Sequence, residues 1–188
     1  MMIEQVTQQP MTTWQRLFYA GPSADALHED YAKRGRIDDL APIAARCEIV
    51  VDAPVERVWE LLSQPEQWPR FAPEIRDVQL DDGVVEDGLF TWRNGRTKLT
   101  SRFAVVNPRH ELTWTGRALG SKVVHRHLLA PAPNSQTRLL TEESMAGPLL
   151  VLFYSSAKLR VSLNTWLTAI ADAALVTKRS ATRETAVK

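Results

Sequence analysis

Two hydrophobic periods share the chain. From Ile43 to Val51 apolar residues fall at alternate positions, with Cys47, Ile49 and Val51 on one side, which predicts a strand. The period then changes. Pro54 suits the first turn of a helix, where its missing N–H costs nothing, and Val55, Val58, Trp59 and Leu62 follow at helical spacing. Pro65, Pro69 and Pro73 break the next stretch into turns that carry Trp68 and Phe71. Alternation resumes at Val78 and Leu80, turns at Asp82-Gly83, and runs from Leu89 to Arg93 into Asn94-Gly95, a strong hairpin signal. A two-residue loop there pairs Arg93 with Arg96, Trp92 with Thr97, Phe90 with Leu99 and Gly88 with Ser101. Phe90, Trp92, Leu99, Ser101, Phe103 and Val105 then share one face, and Arg93, Arg96, Lys98 and Arg102 the other.

After the turn at Asn107-Pro108 come three more alternating runs. Their inward sets are Leu112, Trp114 and Gly116, then Val123, His125, His127 and Leu129, then Leu139, Thr141, Glu143 and Met145. In the last two runs both faces carry apolar residues. Gly147-Pro148 opens the longest helical segment, to about Lys178, in which Leu149, Leu152, Leu159, Leu163, Trp166, Ile170 and Ala174 form a stripe.

Strands joined by tight turns pair as a meander, and the apolar face of that sheet must be covered. Only the last helix is long enough to cover it. The predicted fold is therefore α+β: a curved antiparallel sheet of about seven strands wrapped around a long C-terminal helix. A twisted sheet touches one helix along a line, so the space beside that line is filled by large side chains or by a ligand. Trp59, Phe90, Trp92, Phe103 and Trp114 are large, but Ser101, Gly116, His125, His127 and Glu143 on the same inner face are small or polar, which predicts a partly hollow interior.

Residues 1–42 differ from the rest. Ser23 caps a short helix with Leu27 and Tyr31 one turn apart, and Gly35 ends it. The expected organisation is an arm or lid over 1–42, the main domain over 43–180 and a flexible tail over 181–188. Lys and Arg number 23 against 22 Asp and Glu, interspersed, so no broad basic face argues for nucleic acid. No apolar run reaches a membrane span, and the first ten residues lack a basic start and apolar core, so no secretory signal is expected. The single cysteine, Cys47, fits a reducing compartment. A cytoplasmic monomer or homodimer is expected.

His125 and His127 stand two apart on a strand and point the same way, with Glu143 on the next strand. A histidine with a carboxylate can enolise a ketone, promote aldol closure or eliminate water, and needs no cofactor for it. The same three groups could ligate a metal, but Leu128, Leu129 and Ala130 follow where a further ligand would be needed, so no metal is expected. Trp92 and Trp114 offer stacking faces. Trp68 and Phe71 are expected near the cavity mouth, while Tyr154 offers a hydroxyl and Leu163 an apolar wall from the long helix.

The segments CEIVVDAPVERVWELLSQPEQWPRFAP, FTWRNG, ELTWTG, HRHLLAP and TRLLTEESMAGP, closed by a long helix, resemble the SRPBCC (START-like) superfamily, and within it the polyketide cyclase/dehydrase group. The resemblance spans about Ile43 to Lys178. It implies a helix-grip fold and a small hydrophobic ligand, polyketide-like or aromatic, held in an internal cavity. Members include aromatic polyketide cyclases, lipid carriers and plant-hormone binders, so it implies either a cofactor-independent cyclase or dehydratase or a non-catalytic carrier or sensor.

Overall fold

The computed structural model describes residues 11–185, with side chains over 11–175; residues 1–10 and the end of the expected tail, 186–188, lie outside it. Among the described residues there are seven strands: β1 (Ile43–Val51), β2 (Ile75–Leu80), β3 (Leu89–Asn94), β4 (Thr97–Asn107), β5 (Glu111–Ala118), β6 (Ser121–Ala132) and β7 (Gln136–Ala146). They form one antiparallel sheet in the order β1-β7-β6-β5-β4-β3-β2. β2 to β7 follow one another as a meander, and β1 returns beside β7. Helix α3 (Val55–Leu62) and a 3₁₀ turn (Pro65–Arg70) link β1 to β2, and α4 (Ser156–Thr185) ends the described chain. No helix among the described residues is long and apolar enough to cross a membrane.

α4 buries Leu159, Leu163, Trp166, Ile170 and Ala174, and packs mainly along β1. Ser156 Oγ accepts from the Ala44 N–H, and Cys47 Sγ donates to the Arg160 carbonyl, so the helix is pinned at one edge of the sheet. Space is left between α4 and strands β3 to β7. The helix starts later than its apolar stripe suggests. Leu149 takes a left-handed φ of 63°, a short 3₁₀ turn (Leu150–Leu152) follows, and Ser155 Oγ caps the new helix by accepting from the Lys158 N–H. Leu149 and Leu152, expected in the stripe, are consequently exposed.

The β3–β4 hairpin turns on Gly95-Arg96 rather than Asn94-Gly95, because Gly95 takes the positive φ (58°) at the first loop position. Trp92 therefore faces Leu99 and Phe90 faces Ser101. The expected partners are each displaced by two, which preserves the face of every side chain. A bulge in β4 does change one assignment. Phe103 pairs with Trp114 but Val105 pairs with Thr113, leaving Ala104 as the extra residue. Val105 thus leaves the inner set, and Val106, opposite Leu112, packs against the core instead.

Of the chain before Ile43, the segment around residues 27–37 lies on the other face of the sheet. α1 (Thr13–Phe18) opens with a capping box between Thr12 and Gln15. α2 (Ala24–Ala26), capped by Ser23, runs on into a π turn (Leu27–Tyr31) and a 3₁₀ turn (Ala32–Arg34) that Gly35 ends at φ 66°. Leu27 and Ala32 pack on Ala104 of β4 and Val124 of β6. The two apolar faces of the later strands have this origin: one faces α4, the other is roofed by the arm.

Candidate functional site

The space beside α4 is a cavity of about 740 Å³, within the range of small-molecule sites. Its sheet wall carries Trp92, Ser101, Trp114, Gly116, His125 and Glu143. Its helix wall carries Leu163, Trp166 and Lys158, with Tyr154 just ahead of α4. Trp68 forms the floor rather than a gate at the mouth. It is buried, its indole N–H reaches the carbonyls of Leu61 and Leu62, and its ring lies 5.6 Å from Trp114, 6.1 Å from Trp92 and 5.3 Å from Trp166. The Trp92 indole N–H donates to Ser101 Oγ at 3.1 Å, which satisfies both groups. A Cβ at Gly116 would meet Ser101 Oγ at 3.2 Å, so glycine keeps that part of the wall thin.

Five of the expected residues stand away from the cavity surface. Phe90 and Phe103 stack at 4.4 Å and are wholly buried behind Trp68 and Trp114. Trp59 is half-buried on α3 against the core. Phe71 packs against the far face of Trp166 at 5.6 Å, on an outer groove along α4. His127 lies one layer below the wall.

Alternation along β6 and β7 builds the polar part of the site. His125 pairs with Glu143 and His127 with Thr141 across the two strands, all inward. Arg126 between the histidines points outward to Glu111 and Glu142 at 2.8 and 2.7 Å. Glu143 Oε2 is hydrogen-bonded to His125 Nδ1, His125 Nε2 to His127 Nε2 at 3.0 Å, and His127 Nδ1 to Thr141 Oγ1 at 2.6 Å. The Trp166 indole donates to His127 Nε2 at 3.2 Å.

These contacts assign the protons. The indole nitrogen only donates, so His127 Nε2 is a bare acceptor. His127 carries its proton on Nδ1, facing Thr141, and the contact with His125 requires a proton on His125 Nε2. One further proton is shared between His125 Nδ1 and Glu143. Burial, with the His125 charge second, holds His127 well below the usual histidine pKa. His125 stacks on Trp114 at 4.3 Å and 12°. Glu143 Oε1 has no hydrogen-bond partner among the described residues, and Glu143 lines the cavity.

Trp166 and Thr141 complete this chain and were not among the expected site residues. Trp166 sits in the helical stripe, three residues from Leu163 and four from Ile170, where it reads as packing. Its one signal is that a buried indole N–H needs an acceptor. Elsewhere, His28, Glu29 and Asp87 come within metal-ligand spacing. They lie on the outer face, and Asp87 is already paired with Lys33 and Arg102.

Residues 42–176 match the family model described as polyketide cyclase/dehydrase and lipid transport. The chain belongs to that family. Among solved structures, a hypothetical protein of Helicobacter pylori is 18% identical at a TM-score of 0.65, covering 73% of this chain and 91% of that one. A START superfamily protein from Mycobacterium smegmatis is 14% identical at 0.62, covering 71% and 98%. The Zhui aromatase/cyclase from a Streptomyces species is 15% identical at 0.60, covering 73% and 96%. At these identities the likeness is one of fold. Among curated proteins none matches the sequence. The chain has a START-like helix-grip fold, in which His125 and Glu143 stand on the sheet wall of the cavity.

Proposed function

We propose that this chain binds a flat hydrophobic ligand, polyketide-like or aromatic, in the cavity, and that Glu143 with His125 performs acid–base chemistry on it. Family membership supports the ligand class. The observation that carries the chemistry is the hydrogen-bonded run Glu143–His125–His127, which ends on the cavity wall at the unpartnered Glu143 Oε1. As carboxylate, Glu143 takes a proton from the carbon beside a ligand carbonyl. The electron pair left on that carbon attacks a second carbonyl of the same chain, forming the ring bond, and the resulting alkoxide takes the proton back from Glu143. Elimination of water repeats the cycle: Glu143 removes another proton beside the carbonyl, and the departing hydroxide is protonated by the acid form. Residues Trp92 and Trp114 hold the chain folded, which lowers the barrier by orientation.

A carrier reading has its own support. Both ring nitrogens of both histidines are occupied by protein partners, as expected of groups that only satisfy polarity in a wall. Glu143→Gln separates the two. On the catalytic reading it lowers cyclisation of a poly-ketone substrate by about 100-fold or more while fluorescent-ligand binding persists. Unchanged turnover ends the catalytic reading, and absence of turnover in the parent protein, with ligand retained in native mass spectra, leaves the carrier.

A further inference from the structure

Two stretches distant in sequence meet beside the cavity mouth. The Leu149 N–H donates to the Leu17 carbonyl at 2.7 Å, bringing α1 against the Leu150–Leu152 turn. α1 has no buried residue. Trp14 and Phe18 are 71% and 57% exposed, with their rings parallel and 6.1 Å apart. The turn adds Leu152 and Phe153, at 63% and 73%. A six-residue helix is marginal without a packed face, and a soluble surface rarely keeps several large apolar side chains together unless something covers them.

Charge identifies the cover. Residues 11–22 and 147–163 contain no Asp or Glu, whereas Arg16, Lys158 and Arg160 lie within them. The carboxylate that reaches these stretches, Asp38 at the Tyr19 hydroxyl, is buried, and aromatic and aliphatic side chains beside cations match the interface of an anionic bilayer: the apolar groups enter the acyl boundary and the cations meet lipid phosphate. The patch is also continuous with the cavity. Tyr154, Lys158 and Val161 line the opening, and Val161 is itself 66% exposed. A hydrophobic molecule could cross there without traversing water. Glu74, of the loop before β2, also lines the cavity.

We propose that α1 and the Leu149–Phe153 turn form a docking face for an anionic membrane surface, through which the cavity exchanges its ligand. This stands apart from the acid–base reading, since it uses none of Glu143, His125 or His127. The full chain, floated with phosphatidylcholine vesicles with and without phosphatidylglycerol, is expected to bind the anionic ones and to be released by salt. Leu152→Ser with Phe153→Ser should lower the bound fraction at least about tenfold, with the unfolding midpoint unchanged because both side chains are exposed. Trp14→Ser should do the same through the other element. No flotation with either vesicle overturns the proposal, as does flotation that the double substitution leaves unaltered. Sedimentation as a dimer that the same double substitution dissociates also overturns it, because the face then joins two copies of this chain.

Discussion

The indole N–H of Trp166 on α4 points at Nε2 of His127 on β6, 3.2 Å away, and so sets the tautomer of a ring that never meets solvent. Through it the helix reaches the proton inventory of the opposite wall. Trp166→Phe keeps an aromatic side chain and removes the donor. The loss of that buried hydrogen bond and of part of the indole's volume should cost at least about 1 kcal/mol of stability, and it leaves the His125 N–H as the one donor facing His127 Nε2. Imidazole ¹⁵N spectra of the parent protein should report Nε2 of His127 unprotonated and Nδ1 protonated. A proton on Nε2 in the parent would refute the assignment.

The same burial makes stability depend on pH. In the unfolded chain His127 titrates near the ordinary histidine value of about 6.5, whereas in the native fold burial, then the His125 charge, lowers its pKa well below that. Below about pH 6.5 the unfolded state therefore binds a proton that the native state refuses. Stability is full above that value and falls as the pH drops, with a slope approaching about 1.4 kcal/mol per pH unit from this residue. Urea unfolding at a series of pH values should reveal the fall, and His127→Asn should flatten it. An equally steep fall in the variant would assign the dependence elsewhere.

Most of this architecture is legible in the alternation of side chains, because the pleat has a period of two and an error of two leaves every face intact. The β3–β4 hairpin illustrates this: its loop lies one position later than Asn94-Gly95 suggests, yet Phe90, Trp92, Ser101 and Phe103 keep their side. A shift of one is what alternation does not forgive, and the bulge at Ala104 is such a shift, moving Val105 outward with no turn residue to mark it. The ambiguity of β6 and β7 has another source. Val124 is apolar because Leu27 and Ala32 cover it, and a contact nearly a hundred residues away in sequence leaves no local trace. Within the site, His125, Glu143, Trp92, Ser101, Trp114 and Gly116 were readable as inward residues on neighbouring strands. Depth was not: facing inward places His127, Phe90 and Phe103 on the right side of the sheet, but only packing decides which side chains stop at the cavity surface.

One carboxylate gathers polar ties between the arm and the sheet. Asp87, after the Asp82-Gly83 turn, meets His28 at 2.8 Å and Lys33 at 3.0 Å from the arm, and Arg102 at 2.8 Å from β4. Hydrogen bonds from Lys33, then His28, lower its pKa to about 2 from 3.8. Its contribution is thus present above about pH 4 and lost as the pH falls toward 2. Asp87→Asn removes the charge and should free residues 24–34 from the sheet at neutral pH. Hydrogen exchange should accelerate across that segment while β6 and β7 remain protected. Unchanged protection of the arm would mean that the packing of Leu27 and Ala32, with the His28–Thr115 hydrogen bond, holds it without Asp87.

Phe103 and Gly116 lie on neighbouring strands and should respond in opposite ways. Phe103 is fully buried against Phe90 and has no surface in the cavity. Phe103→Ala should cost about 3–5 kcal/mol of stability and change affinity little in whatever protein remains folded. Gly116 borders the cavity, and its backbone is unstrained for other residues; only the 3.2 Å approach to Ser101 Oγ resists a side chain. Ser101 in turn holds the Trp92 indole. Gly116→Leu should therefore push Ser101 aside, loosen Trp92 and occupy ligand volume, so that uptake of a fluorescent hydrophobic probe is abolished while the unfolding midpoint moves only a few degrees. Titration of both variants beside the parent reads the two effects together. If the leucine variant still takes up the probe with parental affinity, the ligand lies somewhere other than between α4 and strands β3 to β7.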